Sequence, residues 1–431
     1  MSLPAGNSPR IIGSGGAQFD VTIRVPGSKS ITNRALLLAA LADGDSILRG
    51  ALAADDTLAF ASGLRSLGFA VSSPADGRWL VSGGSGGIPA HDADVYCAEA
   101  GTAARFLLAA AAAGNGSYRF DASTQLRRRP LASLLAALRG LGAATDPAAA
   151  DHLPLTLHAS GLDGGCLRLP GNTSSQFISA LLMAAPLARG ALEIVVDGLV
   201  SRPYVVMTVD MMAQFGVGVR TCGYERYRID PGRYSALDYT VEPDASTASY
   251  FFAAAAVSGG RMRVLDLHHR GVLQGDIRFL DVLEAMGCAV TDTAEGVEVR
   301  GPVQLSGLSV DMSDISDTFM TLAAIAPLAT SPVTVYGIAN VRLKESDRIA
   351  AIEDNLRRLG VRTESGPDFL RVFPGAPTGG QVDPHGDHRI AMSFAVLGLR
   401  VPGIAIEDPG CVAKTCPTFF DLWTTLEGTG A

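Results

Sequence analysis

The chain is expected to fold as an α/β protein of two domains, each built from three copies of a unit about 72 residues long. Two periodicities and the chain length lead there. Six segments open with small polar residues and continue as Ala/Leu-rich runs. Matching positions in them are Ser30, Thr102, Ser175, Thr247, Asp317 and His388, at steps of 72, 73, 72, 70 and 71 residues. A second pattern, an amphipathic stretch that ends in glycine before a short apolar run, recurs at Gly68, Gly142, Gly216, Gly287 and Gly360, at steps of 74, 74, 71 and 73. A length of 431 residues exceeds one compact core.

Taken in order, residues 1–16 are rich in Gly, Ser and Pro and are expected to form a loose, flexible tail. Residues 19–25 read as a strand. Each repeat then supplies one buried helix from its Ala/Leu-rich run and one amphipathic helix closed by its glycine, with strands between them. The sixth amphipathic stretch, 418–426, reaches Gly428 just before the sequence ends, so its following strand is missing. The run 19–25 is expected to supply it, which closes the repeats on themselves instead of leaving an open solenoid. The expected domains are 17–26 with 243–431, and 27–242. The chain would start in one domain, build the other and return, and the crossings near Pro26 and Glu242 would act as hinges when the domains close on substrates.

Composition narrows the function. Hydrophobic residues make up 47% and charged residues 18%, as in a folded chain and not a disordered tail. The net charge of −8 speaks against nucleic acid and anionic membrane surfaces as partners, while leaving room for a locally cationic small-molecule site. Six cysteines at 97, 166, 222, 288, 411 and 416 form no C-x-x-C pair and read as reduced thiols. His268-His269 and the pair His385 and His388 read as structural or substrate-loop residues before metal ligands. With no apolar stretch of bilayer length and no signal-peptide pattern, the expected location is cytoplasmic. Pro26-Gly27-Ser28-Lys29-Ser30 looks like a P-loop but lacks the leading glycine and has a residue between Gly and Lys. The run 83–87 does not open a helix as a dinucleotide fingerprint would.

The chemistry concentrates at the starts of the buried helices. Free backbone N–H groups and the helix dipole favour phosphate or carboxylate there. Good capping alone accounts for the Ser, Thr and Asp at these positions. It does not account for Lys29 and Arg34 at the first start, Arg105 at the second, Gln176 at the third and His388-Arg389 at the sixth. More cations stand in loops: Arg127, Arg128 and Arg129, then Arg342, Lys344 and Arg348, then Lys414. Each alone is an ordinary surface charge; together they describe a cleft for ligands with several negative charges.

These residues carry a family resemblance. Pro-Gly-Ser-Lys-Ser with Asn33-Arg34, Ala100-Gly101-Thr102 with Arg105, Arg129-Pro130, Ser174-Ser175-Gln176-Phe177, Ser201 to Tyr204, Asp244-Ala-Ser, Asp317, Asn340 with 344–348, Asp387-His388-Arg389 and Ala413-Lys414-Thr415 occur in this order. In these motifs the chain resembles 5-enolpyruvylshikimate 3-phosphate synthases from about residue 18 to the end. The resemblance implies a two-domain inside-out α/β barrel, each domain three repeats of a βαβαββ-type unit. It implies transfer of the enolpyruvyl group of phosphoenolpyruvate to the 5-hydroxyl of shikimate 3-phosphate, through a tetrahedral intermediate that expels phosphate. Both substrates are small molecules; no metal ion and no organic cofactor is implied, and the chain is expected to act as a monomer.

By the same resemblance, Lys29, Ser30, Arg34, Ser174, Ser175, Gln176, Ser201, Tyr204, Asp317, Asn340 and Lys344 hold shikimate 3-phosphate. Lys29, Gly101, Arg129, Gln176, Arg348, Arg389 and Lys414 hold phosphoenolpyruvate. Lys29, Asp317, Glu345 and Lys414 are the catalytic set: Asp317 is the base for the acceptor hydroxyl, and Glu345 and Lys414 carry protons at the methylene carbon. One departure is Glu99, where many members of the family have a small or amide residue before Ala-Gly-Thr. Two alternatives share the fold: a UDP-N-acetylglucosamine enolpyruvyl transferase, which usually has Lys-Asn at the first helix and a loop cysteine, and a non-catalytic binder of phosphorylated ligands, which has no use for Asp317 and Glu345.

Overall fold

The computed structural model describes residues 8–13, 18–72 and 77–427. It divides into two compact bodies: an inserted body, Gly27–Val241, and a split body, Met1–Pro26 with Glu242–Ala431.

In the inserted body the helices are α1 (Lys29–Leu41), α2 (Asp55–Ser66), α3 (Gly101–Ala112), α4 (Ala132–Gly140), α5 (Ser175–Ala184) and α6 (Arg202–Gln214). α1, α3 and α5 are the buried helices of the three repeats. All twelve residues of α3 are buried. A helix with no polar face has to lie inside, and its alanines let neighbouring helices approach closely. A Cβ on Gly63 of α2 would collide with the Leu107 side chain of α3, so this crossing needs glycine. The second repeat runs strand Asp92–Tyr96, α3, strand Asn115–Asp121, α4, then strands Ala144–Asp146 and Leu155–Ser160. The first two strands pair in parallel, and the last pairs antiparallel with both the second and the third. The third repeat has the same order and pairing.

The split body holds α7 (Ala245–Ser258), α8 (Phe279–Ala285), α9 (Phe319–Ile325), α10 (Arg348–Arg358), α11 (His388–Gly398) and α12 (Phe419–Glu427). Its buried helices α7, α9 and α11 pack against one another. Asp244 caps α7 by accepting from the Thr247 N–H at 2.9 Å. The five glycines of the 72-residue pattern, Gly68, Gly142, Gly216, Gly287 and Gly360, all have positive φ, between 82° and 104°, in the turn that ends each amphipathic helix.

Strand provenance differs from the sequence expectation. Asp20–Ile23, inside the run 19–25, does not complete the sixth repeat. It pairs in parallel with Arg261–Leu265 and is the first strand of the fourth. The chain leaves this repeat after Pro26 and re-enters it at Glu242, and the Asp244 N–H donates to the Pro26 carbonyl at 2.8 Å. The strand's helix is therefore α7, which the sequence delivers only after the whole inserted body. The first repeat mirrors this arrangement: its first strand, Asp238–Thr240, comes from the end of the inserted body and pairs in parallel with 47–49.

The strand missing from the sixth repeat comes from the segment expected to be a loose tail. Residues 1–7 and 14–16 of that segment lie outside the described residues. Arg10–Ile11, however, pairs antiparallel with 405–406, and Ile12 is 1% exposed and donates its N–H to the Ile404 carbonyl at 2.9 Å. The physical reason is the end of α12. Glu427 accepts from the Arg10 guanidinium at 3.3 Å and from the Gly13 N–H at 3.0 Å, and Arg10 lies 4.6 Å from the centre of the Phe420 ring. α12 is itself fixed by Phe419 and Trp423, which pack on Phe251 of α7.

Candidate active site

In the inserted body the starts of α1, α3 and α5 are tied together by side chains. Asn33 Nδ2 donates to Thr102 Oγ1 at 2.6 Å, joining α1 to α3. Arg105 Nη1 donates to Gln176 Oε1 at 2.9 Å and to the Gly101 carbonyl at 3.1 Å, joining α3 to α5. Ser28 and Ser174 cap α1 and α5, whereas Ala100 gives α3 no side-chain cap. The first N–H groups of α3 thus open beside two guanidinium groups. A Cβ built on Gly101 would lie 2.5 Å from Arg105 Nη1 and 2.9 Å from Arg129 Nη1. Bare backbone at Gly101 is what lets both cations approach this helix start. Lys29, at the first turn of α1, donates to Asp56 Oδ2 at 3.0 Å. Ser201 precedes α6 with φ of 52°, a left-handed conformation that serine adopts at a cost.

Arg34, which the resemblance places on the acceptor, has its donors engaged within the inserted body. It is 1% exposed. Its Nε donates to Thr208 Oγ1 at 2.7 Å, Nη1 to the Ser30 carbonyl at 2.9 Å, and Nη2 to Ser179 Oγ at 3.2 Å and the Tyr204 carbonyl at 3.1 Å. All four acceptors are uncharged, and burial pushes the guanidinium down to about 10. Arg34 therefore braces the backbone at Ser30 and Tyr204, two of the residues expected to hold the acceptor.

The split body carries a denser charge network. Asp317, just before α9, accepts from Lys344 Nζ at 2.8 Å, Arg348 Nη1 at 3.0 Å and Arg389 Nη2 at 2.9 Å. Arg348, 1% exposed, also meets Glu345 at 2.7 Å and Asp387 at 2.8 Å. Asp387 in turn caps α11 through the Arg389 N–H at 3.0 Å and accepts from Ser346 Oγ at 3.1 Å. Burial alone would raise the Asp317 carboxyl, but Arg389, Lys344 and Arg348 outweigh it and hold the group well below the usual carboxylate range. Burial pushes the Lys344 ammonium down against the pull of Asp317. Asn340 Nδ2 donates to Ser316 Oγ at 3.4 Å, beside this network. Lys414 closes the 3-10 turn Pro409–Lys414, which packs on α11, and is 4% exposed.

Each body thus gathers its own share of the expected residues. Three that bear on the site were not singled out as ligands: Asp56, Asp387 and Thr102. Asp56 reads in sequence as an ordinary first-turn acid, and Asp387 as an ordinary cap. Glu99 is exposed and follows Ala98, whose φ is 48°. Cys97 is fully buried and its thiol is pushed up to about 12 by burial, the opposite of an activated nucleophile. Among the described residues, one group of potential metal ligands occurs: His269, Asp281 and Glu284 on the surface of the split body, with His269 Nε2 2.7 Å from Asp281. No helix of the described residues is long and apolar enough to cross a membrane.

Known proteins resemble this chain over nearly its whole length. A sequence model of EPSP synthase (3-phosphoshikimate 1-carboxyvinyltransferase) matches residues 14–423. A 3-phosphoshikimate 1-carboxyvinyltransferase of Nostoc punctiforme is 48% identical over 424 residues, covering 97% of this chain and 97% of the relative. One of Methanosphaerula palustris is 42% identical, covering 95% of this chain and 97% of the relative. The solved EPSP synthase of Acinetobacter baumannii superposes with a TM-score of 0.81 at 26% identity, over 96% of this chain and 97% of that one. On these matches the chain belongs to the EPSP synthase family, the 3-phosphoshikimate 1-carboxyvinyltransferases.

Proposed function

We infer that the chain transfers the enolpyruvyl group of phosphoenolpyruvate to the 5-hydroxyl of shikimate 3-phosphate and releases phosphate, in the shikimate route to aromatic amino acids. The transfer itself follows from the family. The roles of individual residues are our reading, and the observation that carries them is the Asp317 carboxylate encircled by Lys344, Arg348 and Arg389. Pure anion binding gains nothing from a carboxylate at the centre of its cations. A base that stays ionised until substrate arrives does.

In this reading Lys29, Ser30, Ser174, Ser175, Gln176, Ser201, Tyr204, Asn340 and Lys344 hold the acceptor, with Arg34 bracing Ser30 and Tyr204. Lys29, Gly101, Arg129, Gln176, Arg348, Arg389 and Lys414 hold phosphoenolpyruvate. Substrate anions draw on the cations around Asp317, its proton affinity rises, and it accepts the 5-hydroxyl proton. The hydroxyl oxygen bonds to C2 of phosphoenolpyruvate while C3 takes a proton from Glu345 or Lys414. In the second half C3 returns a proton, the C2–O bond to phosphate breaks, and the enol ether remains. Guanidinium and ammonium groups stabilise the departing phosphate.

The test is phosphate release with each substrate alone and with both. Release that requires both supports the reading; release from phosphoenolpyruvate alone, or none with both, refutes it. Asp317→Asn should lower kcat by at least about 100-fold while shikimate 3-phosphate still binds calorimetrically.

A further inference from the structure

We propose that Arg105 is a positioning residue for the transfer reaction: its guanidinium holds the Gln176 side-chain amide by the oxygen and so turns the amide N–H pair toward the substrates. The proposal rests on the reading above, in which Gln176 touches both.

Arg105 lies on α3, one turn past Gly101, and is 3% exposed. A buried cation needs a reason. Its Nη1 is shared between the Gly101 carbonyl at 3.1 Å and Gln176 Oε1 at 2.9 Å. Its guanidinium carbon lies 5.5 Å from the centre of the Phe177 ring, the residue after Gln176 on α5. The side chain thus runs from the first turn of α3 to the first turn of α5 and meets two consecutive residues there. Gln176 is only half-buried, so the cation is enclosed and the amide it holds is not. Helix capping does not account for this contact. Ser174 Oγ caps α5 by accepting from the Gln176 backbone N–H at 3.3 Å, which leaves the side-chain amide out of it.

Chemistry decides which end of the amide Arg105 meets. A guanidinium donates and never accepts, so the atom facing it is the amide oxygen. The amide nitrogen is bonded to the other side of the same carbon, and its N–H pair is therefore directed away from Arg105. Without this contact the amide would turn over about its last bond at little cost and offer an oxygen to an incoming anion. Donation from a charged group into Oε1 also polarises the amide and strengthens its N–H groups as donors.

Loss of Arg105 should act through Gln176. Arg105→Met should raise the KM for phosphoenolpyruvate about 10-fold. In a Gln176→Met background the same substitution should change that KM by no more than about twofold, since no amide is left to aim. A larger rise in that background, or a rise below about fivefold in the parent, overturns the proposal. If Arg105→Met does not fold, Arg105→Lys keeps the charge but not the planar fork, and should raise the KM in the parent and not in Gln176→Met; an unchanged KM in the parent, or equal rises in both, overturns the proposal. Gln176→Glu puts an oxygen where the N–H pair stood. It should raise the phosphoenolpyruvate KM more than Gln176→Met does, and an equal or smaller rise overturns the orientation. The two readings fail separately. If Gln176→Met leaves both KM values unchanged, Gln176 touches neither substrate and the underlying reading falls. If Gln176→Met raises them and Arg105→Met does not, only the role of Arg105 falls.

Discussion

Adding one methyl group at Gly101 tests the geometry of the helix start expected to hold phosphoenolpyruvate. In Gly101→Ala the new Cβ would lie 2.5 Å from Arg105 Nη1 and 2.9 Å from Arg129 Nη1. Ordinary contact needs ~3.5 Å or more, so the Arg105 end has to withdraw by about 1 Å. That end is not slack. Arg105 is 3% exposed, and the displaced nitrogen holds Gln176 at 2.9 Å and the Gly101 carbonyl at 3.1 Å. Hydrogen bonds from a charged donor contribute ~1.5–3 kcal/mol each. Weakening both costs about 2–4 kcal/mol, part of it in stability and part in the cationic surface offered to the ligand. If half appears in binding, the KM for phosphoenolpyruvate rises about 10-fold. The KM for shikimate 3-phosphate should move less, because Ser174, Ser175 and Tyr204 are not displaced. Steady-state kinetics with each substrate varied in turn, together with a thermal melt, measures both parts. A phosphoenolpyruvate KM within twofold of the parent, with an unchanged melting temperature, would refute the argument that bare backbone at Gly101 is required.

Arg34 should behave as the internal brace that its contacts describe. Thr208 Oγ1 has one hydrogen to give, to Ser179 Oγ or to the Tyr204 carbonyl, each at 2.8 Å, so it cannot replace the Arg34 donors. Arg34→Met removes these bonds and should lower stability by about 2–4 kcal/mol in urea, with shikimate 3-phosphate bound less tightly; a change below ~0.5 kcal/mol would contradict the brace. Asp317 sets an acid-side dependence. Because its folded pKa is depressed, its contribution to stability is complete above its unfolded value of ~3.9 and is lost as pH falls through the folded value. The stability gap between the parent and Asp317→Asn should stay constant from pH 8 to about 5 and narrow below about 4; a gap that narrows between pH 8 and 6 would contradict the depressed pKa.

The repeat and the two helix types are legible in the sequence, and the enolpyruvyl transfer in its family motifs. Those signals are local: an Ala/Leu run with no polar face buries itself, a glycine ends a helix in a left-handed turn, and cations beside helix starts announce anions. Lys344, Arg348 and Arg389 stand out in the sequence as cations and Asp317 as a repeat position, although nothing local shows that the three cations converge on one carboxylate. What depends on partners far apart in the chain appears only in the folded molecule. Asp20–Ile23 finds Arg261–Leu265 about 240 residues away, and Arg10–Ile11 finds Ile404–Ile406 almost a whole chain length away, because the edge that needs a strand lies there. A tail sequence of Gly, Ser and Pro gives no hint that Glu427 and Phe420 wait to hold Arg10. Burial likewise separated Asp56 from Asp55 and turned Arg34 inward. Whether a charged side chain is solvated, paired or braced depends on the packing of neighbouring helices, and one-dimensional spacing does not contain it.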